Sequence, residues 1–220
     1  MEDRTARHPF KFFVKLTLPE LTGMYALNLK ELIKGIKSAD ENIIYYHTHH
    51  FLLQHHYISP APPNDFAFWI TNILGEELLG EEIASIDLYS FENINDFKSE
   101  MIKRLEKFLA KNKGLKRVDI QSRFNFMKAI TFILNTEKYA YSLSEFLDIL
   151  KNISVYSLYF HFFEASFRLK TRTNDFSMWI ANELNLPELA AKIDNIDPYT
   201  YTMYELKNAV TQLIEQYFKK

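Results

Sequence analysis

The stretch "NDFAFWITNILGEELLGEEIASID" (64–87) returns without a gap as "NDFSMWIANELNLPELAAKIDNID" (174–197), with 11 of 24 positions identical. Self-similarity on this scale marks a repeated structural unit. Working upstream, "IYYHTHHF" (44–51) lies on "LYFHFFEA" (158–165), "ALNLKELIKGI" (26–36) on "AYSLSEFLDIL" (140–150), and "FKFF" (10–13) on "FNFM" (124–127). Downstream, "SEMIKRLEKFL" (99–109) matches "NAVTQLIEQYF" (208–218). The 220-residue chain therefore reads as a tandem duplication. Its parts are an N-terminal tail (1–9), a first helical repeat (10–112), a basic linker (113–119) and a second helical repeat (120–220).

The local signals repeat as well. Phe10, Phe12, Val14, Leu16 and Leu18 alternate with Lys11, Lys15 and Thr17, the period of a short strand; in the second copy the alternation is blurred. Asn28-x-x-Glu31 and Ser142-x-x-Glu145 are capping boxes, each opening an amphipathic helix of about ten residues. A second helix is expected near 42–56 and 155–168. A third starts at Asn64-Asp65 and Asn174-Asp175, both good N-terminal caps, and stops at Gly75 and Asn185, which tolerate the left-handed C′ conformation. A fourth opens near Glu76 and at Pro187 and ends in a turn at Asp87 and Asp197. The last runs over 93–111 and 203–218. This grammar predicts a mainly α fold class: two five-helix units with one short strand each, related by a pseudo-twofold axis.

Composition excludes several functions. Hydrophobic residues at 47% and charged residues at 25% are those of an ordinary soluble globular chain. The 19 Phe, 13 Tyr and 2 Trp point first to thick aromatic cores and second to a ligand-stacking surface. A net charge of −2, with "KFLAKNKGLKR" (107–117) as the one basic cluster, argues against nucleic acid, whose phosphates need a basic face. The absence of cysteine removes disulfides, thiolate nucleophiles and Cys-bound zinc. "MEDRTARHPFKFF" (1–13) has no signal-peptide pattern, and no apolar run approaches about 18 residues, so a membrane is not expected and a cytoplasmic location is. Neither GxxxxGK[ST], GxGxxG nor GxSxG occurs.

Five of the seven histidines fall between 45 and 69. On a regular helix His47 and His50 lie about 60° apart, while His49 and His56 point nearly the other way, so no three form a metal-binding arc. No metal is favoured. If a divalent one is present, His47, His49 and Asp65 are its ligands. The duplication is an internal control: His47 maps on His161, whereas His49 maps on Phe163 and His50 on Glu164. His47 is thus tied to the fold, as a buried imidazole bonded to a backbone carbonyl or to the Asn-Asp pair. The other histidines and the "SPAPP" loop (59–63) belong to the first copy, which is where any activity is expected. The candidate ligand-binding residues are His47, His49, His50, Asn64, Asp65 and Trp69, with Asp65 as base or ligand and Trp69 walling a pocket. Their structural reading is a cap, a buried Phe66 and a Trp one turn on.

"IYYHTHHFLLQHHYISPAPPNDFAFW" (44–69), preceded by "LTGMYALNLKEL" (21–32), resembles an uncharacterised bacterial and archaeal family of about this length. The likeness is carried by Tyr46, His47, Thr48, His49, Pro62, Pro63, Asn64, Asp65, Phe66, Ala67 and Trp69. It implies a domain of unknown function covering most of the chain. It also implies Arg where His50 stands, a departure that weakens His50 as a ligand.

The functional expectation is a non-catalytic binding or regulatory module, its site centred on helix two of the first repeat, its partner a small molecule or a protein. The alternative is a His/Asp enzyme, with or without a divalent metal. A third reading is a structural subunit that homodimerises through aromatic surface.

Overall fold

The computed structural model describes residues 3–50, 64–91, 93–112, 116–165 and 173–219. A long strand β1 (Thr5–Ala26) leads into α1 (Leu29–Ser38) and α2 (Glu41–Tyr45), which passes into a π-helical turn (Tyr46–His50). Next come α3 (Asp65–Asn72), α4 (Glu77–Ala84) and α5 (Ile94–Lys111). A second long strand β2 (Phe124–Ser142) is followed by α6 (Leu143–Asn152), α7 (Val155–Phe162), α8 (Asp175–Asn182), α9 (Pro187–Asp194) and α10 (Met203–Phe218).

The expected fold class, mainly α five-helix repeats with one short strand each about a pseudo-twofold axis, is overturned: the fold is mixed α/β. β1 has 22 residues and β2 has 19, and the two pair as an antiparallel sheet. The helices begin and end close to where the caps place them. The strands are longer because they continue past their buried aromatic ends into stretches with little burial, such as Leu16 to Leu21 and Ile130 to Leu134. A period-2 hydrophobic pattern reports only a strand with one buried face.

The chain divides into two compact units, Thr17–Thr131 and Met1–Leu16 with Phe132–Lys220. Each strand gives one half to each unit. The "FKFF" end of β1 therefore packs with the helices that follow β2, and the "FNFM" end of β2 with those that follow β1.

In the unit Thr17–Thr131, Phe124 and Phe126 are buried beside Phe66, with the Phe66 and Phe124 rings stacked at 5.2 Å. Around them lie Leu32, Ile36, Ile44, Ile70, Ile83 and Met101. Gly35 on α1 is required here, because a Cβ at that position would overlap the Phe126 ring. Lys98 on α5 donates to the Ala39 carbonyl at 2.7 Å, closing the C-terminal end of α1. The basic 116–118 stretch is tied down: Lys116 pairs with Glu76, Arg117 with Glu31, and the Val118 N–H bonds the Leu27 carbonyl.

In the other unit Phe10 and Phe12 take the equivalent places. Phe10 lies edge-on to Phe146 at 5.2 Å, and Phe146 stacks on Trp179 at 5.4 Å. Lys207 on α10 donates to the Lys151 and Ile153 carbonyls at the end of α6.

The caps explain the helix boundaries. Asn28, Asp40, Asn64, Ser142, Ser154 and Asn174 each accept the N–H three residues on. Glu31 and Glu145 reach back to the N–H of Leu27 and Tyr141, one residue before the cap. Gly75 (φ 70°) and Asn185 (φ 52°) are left-handed, and the N–H groups of Glu76 and Leu186 return across them to Ile70 and Ile180. Left-handed backbone recurs in the strands at Gly23 (φ 80°) and Glu137 (φ 58°). Each follows a threonine bound to the opposite strand, Thr22 to the Phe126 carbonyl and Thr136 to the Phe12 carbonyl.

Candidate functional site

His47 sits in the π-helical turn after α2 and is 1% exposed. Its Nδ1 lies 2.6 Å from Asp65 Oδ2, at the first residue of α3. Its Nε2 accepts the backbone N–H of Met127 on β2 at 2.9 Å. A backbone N–H can only donate, so Nε2 carries the lone pair and Nδ1 the proton, which it gives to Asp65. The ring is neutral in this arrangement and both nitrogens are used. The Asn64-Asp65 start is itself built by sequence: Asn64 caps α3 through the Ala67 N–H at 2.8 Å, leaving Asp65 to face the imidazole.

The same construction stands in the other unit. His161 Nδ1 lies 2.7 Å from Asp175 Oδ2, and His161 Nε2 accepts the Phe13 N–H at 2.8 Å. Ser157 Oγ donates to the Phe13 carbonyl at 2.7 Å, so both outward backbone groups of Phe13 are satisfied by α7. The tryptophans complete the seam: Trp69 Nε1 donates to the Ser122 carbonyl and Trp179 Nε1 to the His8 carbonyl, both at 2.9 Å. Glu183 accepts both the His8 N–H and its ring, which holds its carboxyl below the usual range. An edge strand presents backbone groups that need partners. The His–Asp pairs supply them.

The remaining expected residues fall nearby without converging. His49 stacks on Tyr45 at 5.3 Å, and its Nδ1 is 2.9 Å from Thr48 Oγ1. That hydroxyl donates to the Ile44 carbonyl, so Nδ1 is the donor to it. His50 is buried with its ring 5.0 Å from Tyr46. Trp69 is 4% exposed and packs on Phe124. The π-helical turn changes the angular spacing assumed for a regular helix. Among the described residues, no three His, Cys, Asp or Glu side chains come together as metal ligands. His55, His56 and the "SPAPP" loop lie outside the described residues.

Sequence reasoning missed the strand N–H partners, and it missed a second-copy feature. Half-buried Lys15 and buried Glu164 form an ion pair at 2.9 Å. Their aligned positions hold Ala129 and His50, so the first copy has neither the lysine nor the carboxylate. Beside this pair, burial and the Glu164 charge push the Tyr159 phenol well above its ordinary value, so it stays protonated. An open cavity of about 520 Å³ lies over the second dyad, lined by Phe13, Phe160, His161, Asp175, Met178 and Trp179 among others. The signal for it was Met178, which stands where the first copy has Phe68.

Among the described residues no helix is long and apolar enough to cross a membrane. A family model described as a family of unknown function (DUF5752) matches residues 7–215, and the chain belongs to that family. No curated protein matches it. The structure of OrfY from Thermoproteus tenax is similar, with 29% sequence identity, 96% of each chain covered and a TM-score of 0.78.

Proposed function

Taking membership of this family as the premise, we propose that the chain is a non-catalytic binding module. It is built from a doubled unit, and each copy offers a ligand surface over its pinned imidazole. One observation carries this reading: the Nε2 lone pairs of His47 and His161 are held by the N–H groups of Met127 and Phe13. A general base or a metal ligand needs that lone pair. In the second copy the surface is the apolar cavity bounded by Phe160, Met178 and Trp179, within the size range of small-molecule sites. In the first copy the corresponding surface is centred on helix two, with His47, His49, His50, Asn64, Asp65 and Trp69. The alternative, a His/Asp enzyme with a divalent metal on His47, His49 and Asp65, has the occupied ring of His47 against it.

The test uses 1-anilinonaphthalene-8-sulfonate as probe on the full chain, beside a hydrolase substrate panel. Saturable probe fluorescence that Met178→Trp abolishes, with unchanged circular dichroism and no turnover, is the expected result. Turnover that disappears on His47→Gln or His161→Gln would overturn it.

A further inference from the structure

The two strands are not equally guarded along their outer edges. Phe12 turns its carbonyl toward β2, where Thr136 Oγ1 meets it, and Phe13 turns its N–H and carbonyl outward to α7. Strand geometry repeats every two residues. The even positions of β1 therefore face β2, and the odd ones face out. By the same repeat, counted from Met127, whose N–H points outward to His47, Ile133 of β2 presents its N–H and carbonyl outward. Among the described residues no third strand receives them.

Phe132, Ile133 and Leu134 are 48%, 54% and 46% exposed. The aligned residues of β1 are Leu18, Pro19 and Glu20. Pro19 has no N–H to offer a new strand, and in the equivalent symmetric pairing Glu20 would bury its charge against Leu18 of the second copy; both are recognised ways of protecting an edge. β2 carries neither device, and from Ala129 to Thr136 it contains no charged residue and no proline. Such a segment is a template for strand addition.

We propose that Phe132–Leu134 of β2 is a homodimer interface, in which β2 of a second copy of this chain adds antiparallel to it. With Ile133 opposite Ile133 of the second copy, the two exchange N–H···O=C bonds, and each Phe132 meets a Leu134, a favourable aromatic–aliphatic cross-strand pair. The occupant is a second copy because the segment complements itself: it opposes no like charges, and a net charge of −2 sets little long-range repulsion between copies. The identical edge closes the assembly at two.

Sedimentation of the full chain across the micromolar range is the test. The wild type is expected as a dimer. Leu134→Glu, which leaves the cavity lining untouched, and Ile133→Pro/Leu134→Glu, which copies Pro19-Glu20, are expected to raise the dimer Kd by about a hundredfold or more through charge burial and a lost donor. Their circular dichroism should be unchanged. Leu18→Lys is expected to leave the dimer intact. A monomeric wild type, an open-ended rise in mass with concentration, or a dimer broken by Leu18→Lys and spared by both β2 variants would overturn the proposal.

Discussion

Met127 gives its backbone N–H to His47 Nε2 across 2.9 Å, and that single bond ties an edge strand to the helix layer beneath it. Its counterpart joins Phe13 to His161. Each imidazole acts as a two-ended connector, carboxylate on one nitrogen and strand on the other. Removing it should therefore strip a buried N–H of its partner and open a cavity together. His161→Ala is expected to lower stability by about 3 kcal/mol, and His47→Ala by a similar amount. Urea denaturation checks both; a loss too small to resolve would mean water replaces the ring freely.

Small residues set two close approaches. A Cβ at Gly35 would overlap the buried Phe126 ring, so Gly35→Ala should destabilise by about 2 kcal/mol despite its better helix propensity. A Cβ at Gly80 would overlap the Thr71 hydroxyl, whereas the second copy has Ala190 with Ala181 at the aligned positions. Gly80→Ala alone should destabilise, and Thr71→Ala/Gly80→Ala should recover most of the loss. A double-mutant cycle measures that coupling.

Glu137 adopts φ 58° where its counterpart Gly23 adopts φ 80°. Left-handed backbone costs a residue with a Cβ about 1–2 kcal/mol, partly offset by the greater entropy that glycine loses on folding. Glu137→Gly should therefore raise stability by about 0.5 kcal/mol, and Gly23→Ala should lower it by about 1 kcal/mol. Thermal melts of the two variants should move in opposite directions.

Acid should weaken the fold through its caps. The Leu27 N–H, then Arg117 and Asn28, hold the Glu31 carboxyl below its ordinary 4.5, and the Thr202 N–H and hydroxyl do the same for Glu205. A carboxyl lowered by folding adds stability that is complete above its unfolded value and is lost as pH falls through the folded one. Urea midpoints should thus fall between pH 5 and pH 3, and Glu31→Gln should flatten that fall. A midpoint insensitive to pH in this window would remove the caps from the account.

What the sequence made legible was local. Asn64, Asn174, Pro187, Gly75 and Asn185 fix helix ends through bonds that span a few residues, and each acts where its chemistry places it. The strands were hidden because their partners are remote. Phe10 and Phe12 serve helices more than a hundred residues away, and Ile130 to Leu134 show no alternation because they are exposed throughout. The recurrence of His47 as His161 marked the ring as part of the fold. The Asp half of its bonding was readable from the neighbouring Asn-Asp pair, but the strand N–H was not, since it requires knowing which strand arrives.

The most direct test is the protonation of the two rings, read by long-range 15N–1H NMR of the imidazole nitrogens at neutral pH. His47 and His161 should both show a protonated Nδ1 and an unprotonated Nε2. Nε2-protonated or cationic rings would contradict the strand pin, and with it the case against a catalytic histidine.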